Sequence, residues 1–217
     1  MKSLKIILIV IGVCLYSCEP VKKDKLILNI SISDSLSVNE MDGRLLLILA
    51  DSDKAEPRFQ VSEGLNAQPI FGMNVEKWSQ NKTYSFNDNI FGFPYDKLSK
   101  LKPGDYYVQA VLHVYETFNL STGQSVKLPM DNGEGQHWNT SPGNIISEPF
   151  KISISENESQ SFEIVLNTVI PEIEQPADTE WVKHIKMKSE LLSGFWGRDM
   201  YLGAHVLLPK GFNEHPE

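Results

Sequence analysis

Asp105-Tyr106-Tyr107-Val108-Gln109-Ala110-Val111-Leu112-His113-Val114-Tyr115-Glu116-Thr117-Phe118 decides the fold class. Tyr106, Val108, Ala110, Leu112 and Val114 recur at every second position, the period of an extended strand with one apolar face. The stretch predicts a long strand, with His113 on the face opposite Tyr106 and Val108.

From this strand outward the period stays at two, from Lys25 to about Thr168. Leu26, Leu28, Ile30 and Ile32 alternate with more polar neighbours, as do Phe150, Ile152 and Ile154, then Phe162, Ile164 and Leu166. Arg44–Ala50 is a continuous apolar run suited to a central strand, and Ile70–Val75 and Thr83–Phe86 are shorter candidates. Asp42-Gly43, Pro103-Gly104 and Ser121-Thr122-Gly123 supply turns between them. Strands at this spacing, with little helical pattern, predict a mainly β chain with an antiparallel β-sandwich over residues 25–170. Leu101-Lys102-Pro103-Gly104-Asp105-Tyr106 resembles the tyrosine corner of immunoglobulin-like and fibronectin type III sandwiches. In that motif the phenol hydroxyl bonds to backbone just upstream. An ordinary turn before an amphipathic strand is the alternative.

Pro171-Glu172-Ile173-Glu174-Gln175-Pro176 interrupts the alternation, and residues 171–178 read as a stiff linker. Beyond it a strand is predicted at Glu180–Met187, then a Ser189–Leu192 segment and an aromatic-glycine patch, then a strand at Tyr201–Leu208. About forty residues are too few for an independent core.

That last block carries a resemblance. Thr179-Glu180-Trp181-Val182-Lys183-His184-Ile185, Ser189-Glu190-Leu191-Leu192-Ser193-Gly194-Phe195-Trp196-Gly197-Arg198 and Tyr201-Leu202-Gly203-Ala204-His205-Val206-Leu207-Leu208-Pro209-Lys210-Gly211-Phe212 resemble the start of the catalytic domain in secreted α/β-hydrolase esterases. These are similar to the esterase D and enterochelin esterase group. The resemblance implies a β-sandwich placed ahead of a hydrolase domain of which residues 179–217 are the opening strands. Catalysis in that fold needs a Gly-x-Ser-x-Gly elbow followed by an acid and a histidine. No Gly-x-Ser-x-Gly occurs in the chain; Ser193-Gly194 has half of the frame, with no helical run expected after it. The expectation is therefore an incomplete esterase-like domain, inactive by itself, with no catalytic residue and no cofactor assigned. Its implied partner is the remainder of the hydrolase domain. The alternative is a non-enzymatic surface lipoprotein whose sandwich binds a glycan or a partner protein.

The N-terminus predicts where the chain works. Lys2 and Lys5 precede the apolar run Ile6–Leu15, and Leu15-Tyr16-Ser17-Cys18 follows. The run is short of the roughly 20 residues that cross a bilayer as a helix. Charge, short apolar stretch and small residue in that order mark residues 1–17 as a signal peptide. Leu15-Tyr16-Ser17-Cys18 resembles the bacterial lipobox, which implies acylation of Cys18 and a polar tether over residues 18–24. The expected location is the bacterial cell envelope, lipid-anchored on the periplasmic or cell-surface side, with the membrane as partner through Cys18. Loss of Lys2 and Lys5 on cleavage takes the formal charge from −8 to −10. With Cys14 removed and Cys18 acylated, the fold must rest on an apolar core rather than on disulfides or cysteine-bound metal. An acidic chain without a Lys/Arg cluster has no electrostatic footprint for nucleic acid.

Among possible ligand-binding segments, the loop Met130–Asn144 stands out. Asp131, Asn132 and Glu134 offer oxygen ligands to calcium, but without the alternating EF-hand spacing, so no metal site is assigned. His137 and Trp138 offer a surface on which a ring-shaped ligand could stack. A long ordered loop with Trp138 packed on a sheet edge is the alternative. The five histidines, His113, His137, His184, His205 and His215, include no pair four residues apart. They read as surface or hydrogen-bonded structural groups. Asp34-Ser35-Leu36 matches a three-residue O-glycosylation acceptor of Gram-negative bacteria.

Overall fold

The computed structural model describes residues 26–37, 39–130, 137–174, 176–212 and 214. Cys18, Asp131 and Glu134 lie outside the described residues. The chain is mainly β, with a large curled sheet and a small second sheet. The large sheet contains β1 (Leu26–Ile32), β2 (Met41–Ala50), β3 (Ile70–Trp78), β4 (Tyr84–Phe86), β5 (Gly92–Phe93), β6 (Gly104–Asn119), β7 (Ser125–Pro129), β8 (Ile145–Ser147), β9 (Phe150–Ile154) and β10 (Gln160–Val169). Its order is β4-β1-β10-β8-β6-β2-β3-β5, with β7 and β9 also paired to β6. The small sheet pairs β11 (Val182–Lys188) with β12 (Tyr201–Leu207), joined through the helix α1 (Glu190–Trp196).

The Asp105–Phe118 stretch lies within β6, the organising strand of the sheet. β6 has 16 residues, roughly 50 Å of chain at about 3.3 Å per residue. It pairs with β9 over Gly104–Val108, with β2 over Tyr107–Tyr115, with β8 at Val111 and Leu112, and with β7 over Tyr115–Asn119. A strand that changes partners along its length forces the sheet to curl. At its start the Tyr106 hydroxyl donates to the Lys102 carbonyl at 3.0 Å, the bond expected of the Leu101–Tyr106 turn.

The strand direction differs from the antiparallel expectation at one place. β1 and β10 run parallel, from Leu26 beside Gln160 to Ile32 beside Leu166, whereas the other pairings are antiparallel. The sheet is therefore mixed. Parallel neighbours need a long connection, and here most of the body intervenes between β1 and β10. Alternation of apolar residues reports the buried face of each strand but not its direction.

The alternating side chains meet in one interior. Leu28 and Ile30 from β1, Leu45, Leu47 and Leu49 from β2, Phe71 from β3, Phe86 from β4, Val108, Ala110 and Leu112 from β6, and Ile164 and Leu166 from β10 are all buried there. Each large aliphatic side chain buried in this way contributes about 1.5–3 kcal/mol. The run Arg44–Ala50 is apolar on both faces for a reason. Leu46 and Ile48 point away from this interior into a second cluster with Val111, Ile146 and Ile170, covered by Val61, Ile70 and Trp138. β2 is thus a central strand, with β3 and β6 as neighbours, buried on both sides. Close approach of the two central strands requires Gly43, where an added Cβ would stand 2.3 Å from the His113 carbonyl oxygen.

Candidate functional site

The candidate loop begins with a structural role. Trp138 packs on the second apolar cluster, and its carbonyl accepts a hydrogen bond from Asn144 Nδ2 at 2.8 Å. Asn144 Oδ1 in turn accepts from the Val114 backbone at 2.9 Å, tying the loop to β6. His137 is exposed, and its carbonyl accepts from the Ser141 hydroxyl at 2.9 Å. The Trp138 ring is therefore a cover for the sheet, half-buried against it rather than free on both faces.

A buried polar network that sequence reading missed fastens a second loop to the same face. Gln109 is fully buried on β6. Its Nε2 donates to the Ser147 carbonyl at 3.0 Å and to Glu56 at 2.8 Å, while its Oε1 accepts from the Arg58 backbone at 3.1 Å. Arg58 reaches Glu56 at 2.8 Å and the Asn139 carbonyl at 2.7 Å, so residues 56–58 and the 137–144 loop share one network. Burial raises the Glu56 carboxyl, but hydrogen bonds from Arg58 and Gln109 outweigh it and hold the group below its usual range. A buried polar group without such partners would cost about 1–3 kcal/mol, which explains why the network is closed. The signal was present in the sequence as Gln109 in an otherwise apolar stretch, but its partners lie 38 to 53 residues away and left no local pattern. His113 sits on the same face, buried, with no partner for Nε2 among the described residues. Desolvation lowers its pKa and favours the neutral ring.

In the C-terminal unit the Ser189–Leu192 segment is the start of a helix. Ser189 caps it by accepting from the Leu192 backbone at 3.3 Å, and Gly197 ends it in the left-handed conformation at φ 67°. Ser193 therefore lies inside α1, which runs on to Trp196 and corrects the expectation that no helical run follows Ser193-Gly194. Its hydroxyl accepts from the Met200 backbone at 2.9 Å. It is not poised on a strand-to-helix elbow, where a hydrolase nucleophile must stand.

The two strands flanking α1 bring together residues far apart in sequence. His184 on β11 faces His205 on β12 in register, with ring centroids 4.7 Å apart and planes at 82°. Asp178 Oδ1 lies 3.1 Å from His184 Nδ1 and accepts from the His184 backbone at 2.8 Å. The backbone hydrogen bond, then the side-chain bond, hold the Asp178 carboxyl below its usual range. A search for pairs four residues apart passes over this juxtaposition, because the spacing of 21 residues becomes a contact only through antiparallel pairing. Among the described residues no group of three His, Cys, Asp or Glu side chains converges as a metal cage. A cleft at the base of the unit is lined by Trp181, Lys210, Phe212, Glu180 and Glu214.

One clamp joins this unit to the large sheet. The Arg198 guanidinium pairs with Glu116, contacts Met130 Sδ at 3.3 Å, and lies 4.6 Å from the Phe118 ring centroid. Trp196 meets the same Phe118 ring edge-on, with centroids 5.1 Å apart.

The class these features define is a mainly β protein with a curled mixed sheet and an appended strand–helix–strand unit. No protein-family model matches the chain, and no curated protein or solved structure matches it.

Proposed function

We propose that this chain is the N-terminal region of a lipid-anchored, esterase-like hydrolase of the bacterial envelope. The curled sheet acts in it as an accessory and spacer domain of immunoglobulin or fibronectin type III type. In this reading acylated Cys18 holds the body at the membrane, and residues 179–212 open the hydrolase domain. The observation that carries the reading is the C-terminal unit, whose sequence resembles that of the esterases and whose apolar side chains lie uncovered. Met187 is 56 % exposed and Leu207 76 % exposed, side chains that a hydrolase sheet would bury. The Tyr106–Lys102 hydrogen bond supports the sandwich type. The chain's own 217 residues hold no Gly-x-Ser-x-Gly and are not catalytic in this reading.

The test has three arms. The reading frame beyond codon 217 should encode an α/β-hydrolase core with its serine elbow; unrelated or non-coding sequence there overturns the reading. Residues 19–217, purified, should not turn over a p-nitrophenyl ester, and turnover tracking the protein through purification would show a catalytic site within the chain. In the native host, Cys18→Ala should move the protein out of the detergent phase. Equal partitioning of the variant would remove the anchor from the proposal.

A further inference from the structure

We propose that His184 and His205 form a two-imidazole site for a divalent transition-metal ion on the small sheet, with Asp178 as its positioning residue. The register of β11 and β12 establishes the pairing. Leu208 N donates to the Trp181 carbonyl at 2.7 Å and Ser189 N to the Met200 carbonyl at 2.8 Å. Hydrogen-bonded pairs alternate along an antiparallel ladder, so the residues between these two bonds fall into a fixed sequence. His184 and His205 occupy a non-hydrogen-bonded pair, the kind in which opposed side chains come closest. Their ring centroids are 4.7 Å apart.

Asp178 prepares one of the rings. A carboxylate can only accept, so a contact of 3.1 Å places the His184 proton on Nδ1 and leaves the Nε2 lone pair free. A carboxylate behind a histidine fixes the ring's tautomer and orientation, as the outer partners of metal-binding histidines do. Asp178 is itself held by the His184 backbone N–H at 2.8 Å, and its other oxygen lies 3.9 Å from Lys183 Nζ. The carboxylate is anchored before any ion arrives. His205 is exposed, so its imidazole can turn about Cβ–Cγ from the edge-on packing and present a nitrogen to the same ion. Two neutral imidazoles suit Cu²⁺, Ni²⁺ and Zn²⁺ rather than Ca²⁺ or Mg²⁺, and water completes the coordination. The site ties β11 to β12 across the ladder, stabilising a unit whose strands and helix hold no fully buried residue.

Titration of the full chain, with Cys14→Ser and Cys18→Ser to remove competing thiols, should detect one site. Binding should be tighter for Cu²⁺ than for Ni²⁺ or Zn²⁺. Copper-bound protein should show nitrogen hyperfine structure from two imidazoles. His184→Ala or His205→Ala should each weaken binding at least about tenfold and leave one imidazole in the spectrum; the His184 side chain is 12 % exposed and His205 lies on the surface, and circular dichroism verifies the fold of both variants. Asp178→Asn should weaken binding about tenfold while two nitrogens remain in the spectrum, a result that a merely structural role would not produce. Zn²⁺ should also slow proteolysis within residues 182–207. Unchanged affinity in the double variant His184→Ala/His205→Ala, or a single-imidazole spectrum in the parent chain, overturns the site.

Discussion

The curled body and the C-terminal unit are built from similar strand signals and end in opposite circumstances. In the body, Leu49 is fully buried between β3 and β6, whereas in the appended unit Leu207 is 76 % exposed. Both belong to apolar runs of comparable length. The difference is the covering layer: the body curls until its own strands and loops cover both faces of β2, whereas among the described residues the two-stranded sheet has a seven-residue helix beside it and buries none of its own side chains. A two-stranded sheet is marginal in water without something packed on it. The unit gains a foothold through Arg198 and Trp196 on the rim of β6, which is a clamp of charge and aromatic edges rather than a shared core.

Truncating one leucine in each region tests that comparison with the largest contrast. Leu47→Ala removes a fully buried side chain from the main interior and should lower unfolding stability by about 2–5 kcal/mol. Leu207→Ala should change the same urea transition by less than about 0.5 kcal/mol. Equal losses would mean that the two regions share one cooperative core. Tyr106→Phe is a smaller perturbation at the start of β6. Loss of the 3.0 Å bond to the Lys102 carbonyl should cost about 0.5–1.5 kcal/mol, with the secondary structure retained in circular dichroism.

A small effect on stability, and the sharpest on organisation, should come from the clamp. Arg198 and Glu116 are both partly exposed, so their pairing contributes about 0.2–1 kcal/mol. Arg198→Ala should leave the unfolding midpoint of the body almost unchanged. It should, however, speed limited proteolysis within residues 171–178 and hydrogen exchange in β11 and β12. The parent chain should approach the variant at high salt, since exposed charges are screened. If the variant is cleaved no faster than the parent, the unit is held to the body by other contacts.

What the sequence determined by itself was the period of two and therefore the faces. Tyr106, Val108, Ala110, Leu112 and Val114 share one side of β6, and the same alternation places Leu26, Leu28, Ile30 and Ile32 inward. The continuous run Arg44–Ala50 marked a central strand before any neighbour was known. β5 has only two residues, too few for a period to register, β7 buries none of its side chains and so shows no apolar face, and the seven residues of α1 were visible only as the segment Ser189–Leu192. Tertiary structure alone decided the parallel pairing of β1 with β10, because hydrogen-bond direction leaves no mark on side-chain alternation. It also decided the closed network around Gln109 and the meeting of His184 with His205. Those contacts join residues far apart in the chain, and a chain specifies them through the register of its whole sheet rather than through any local pattern.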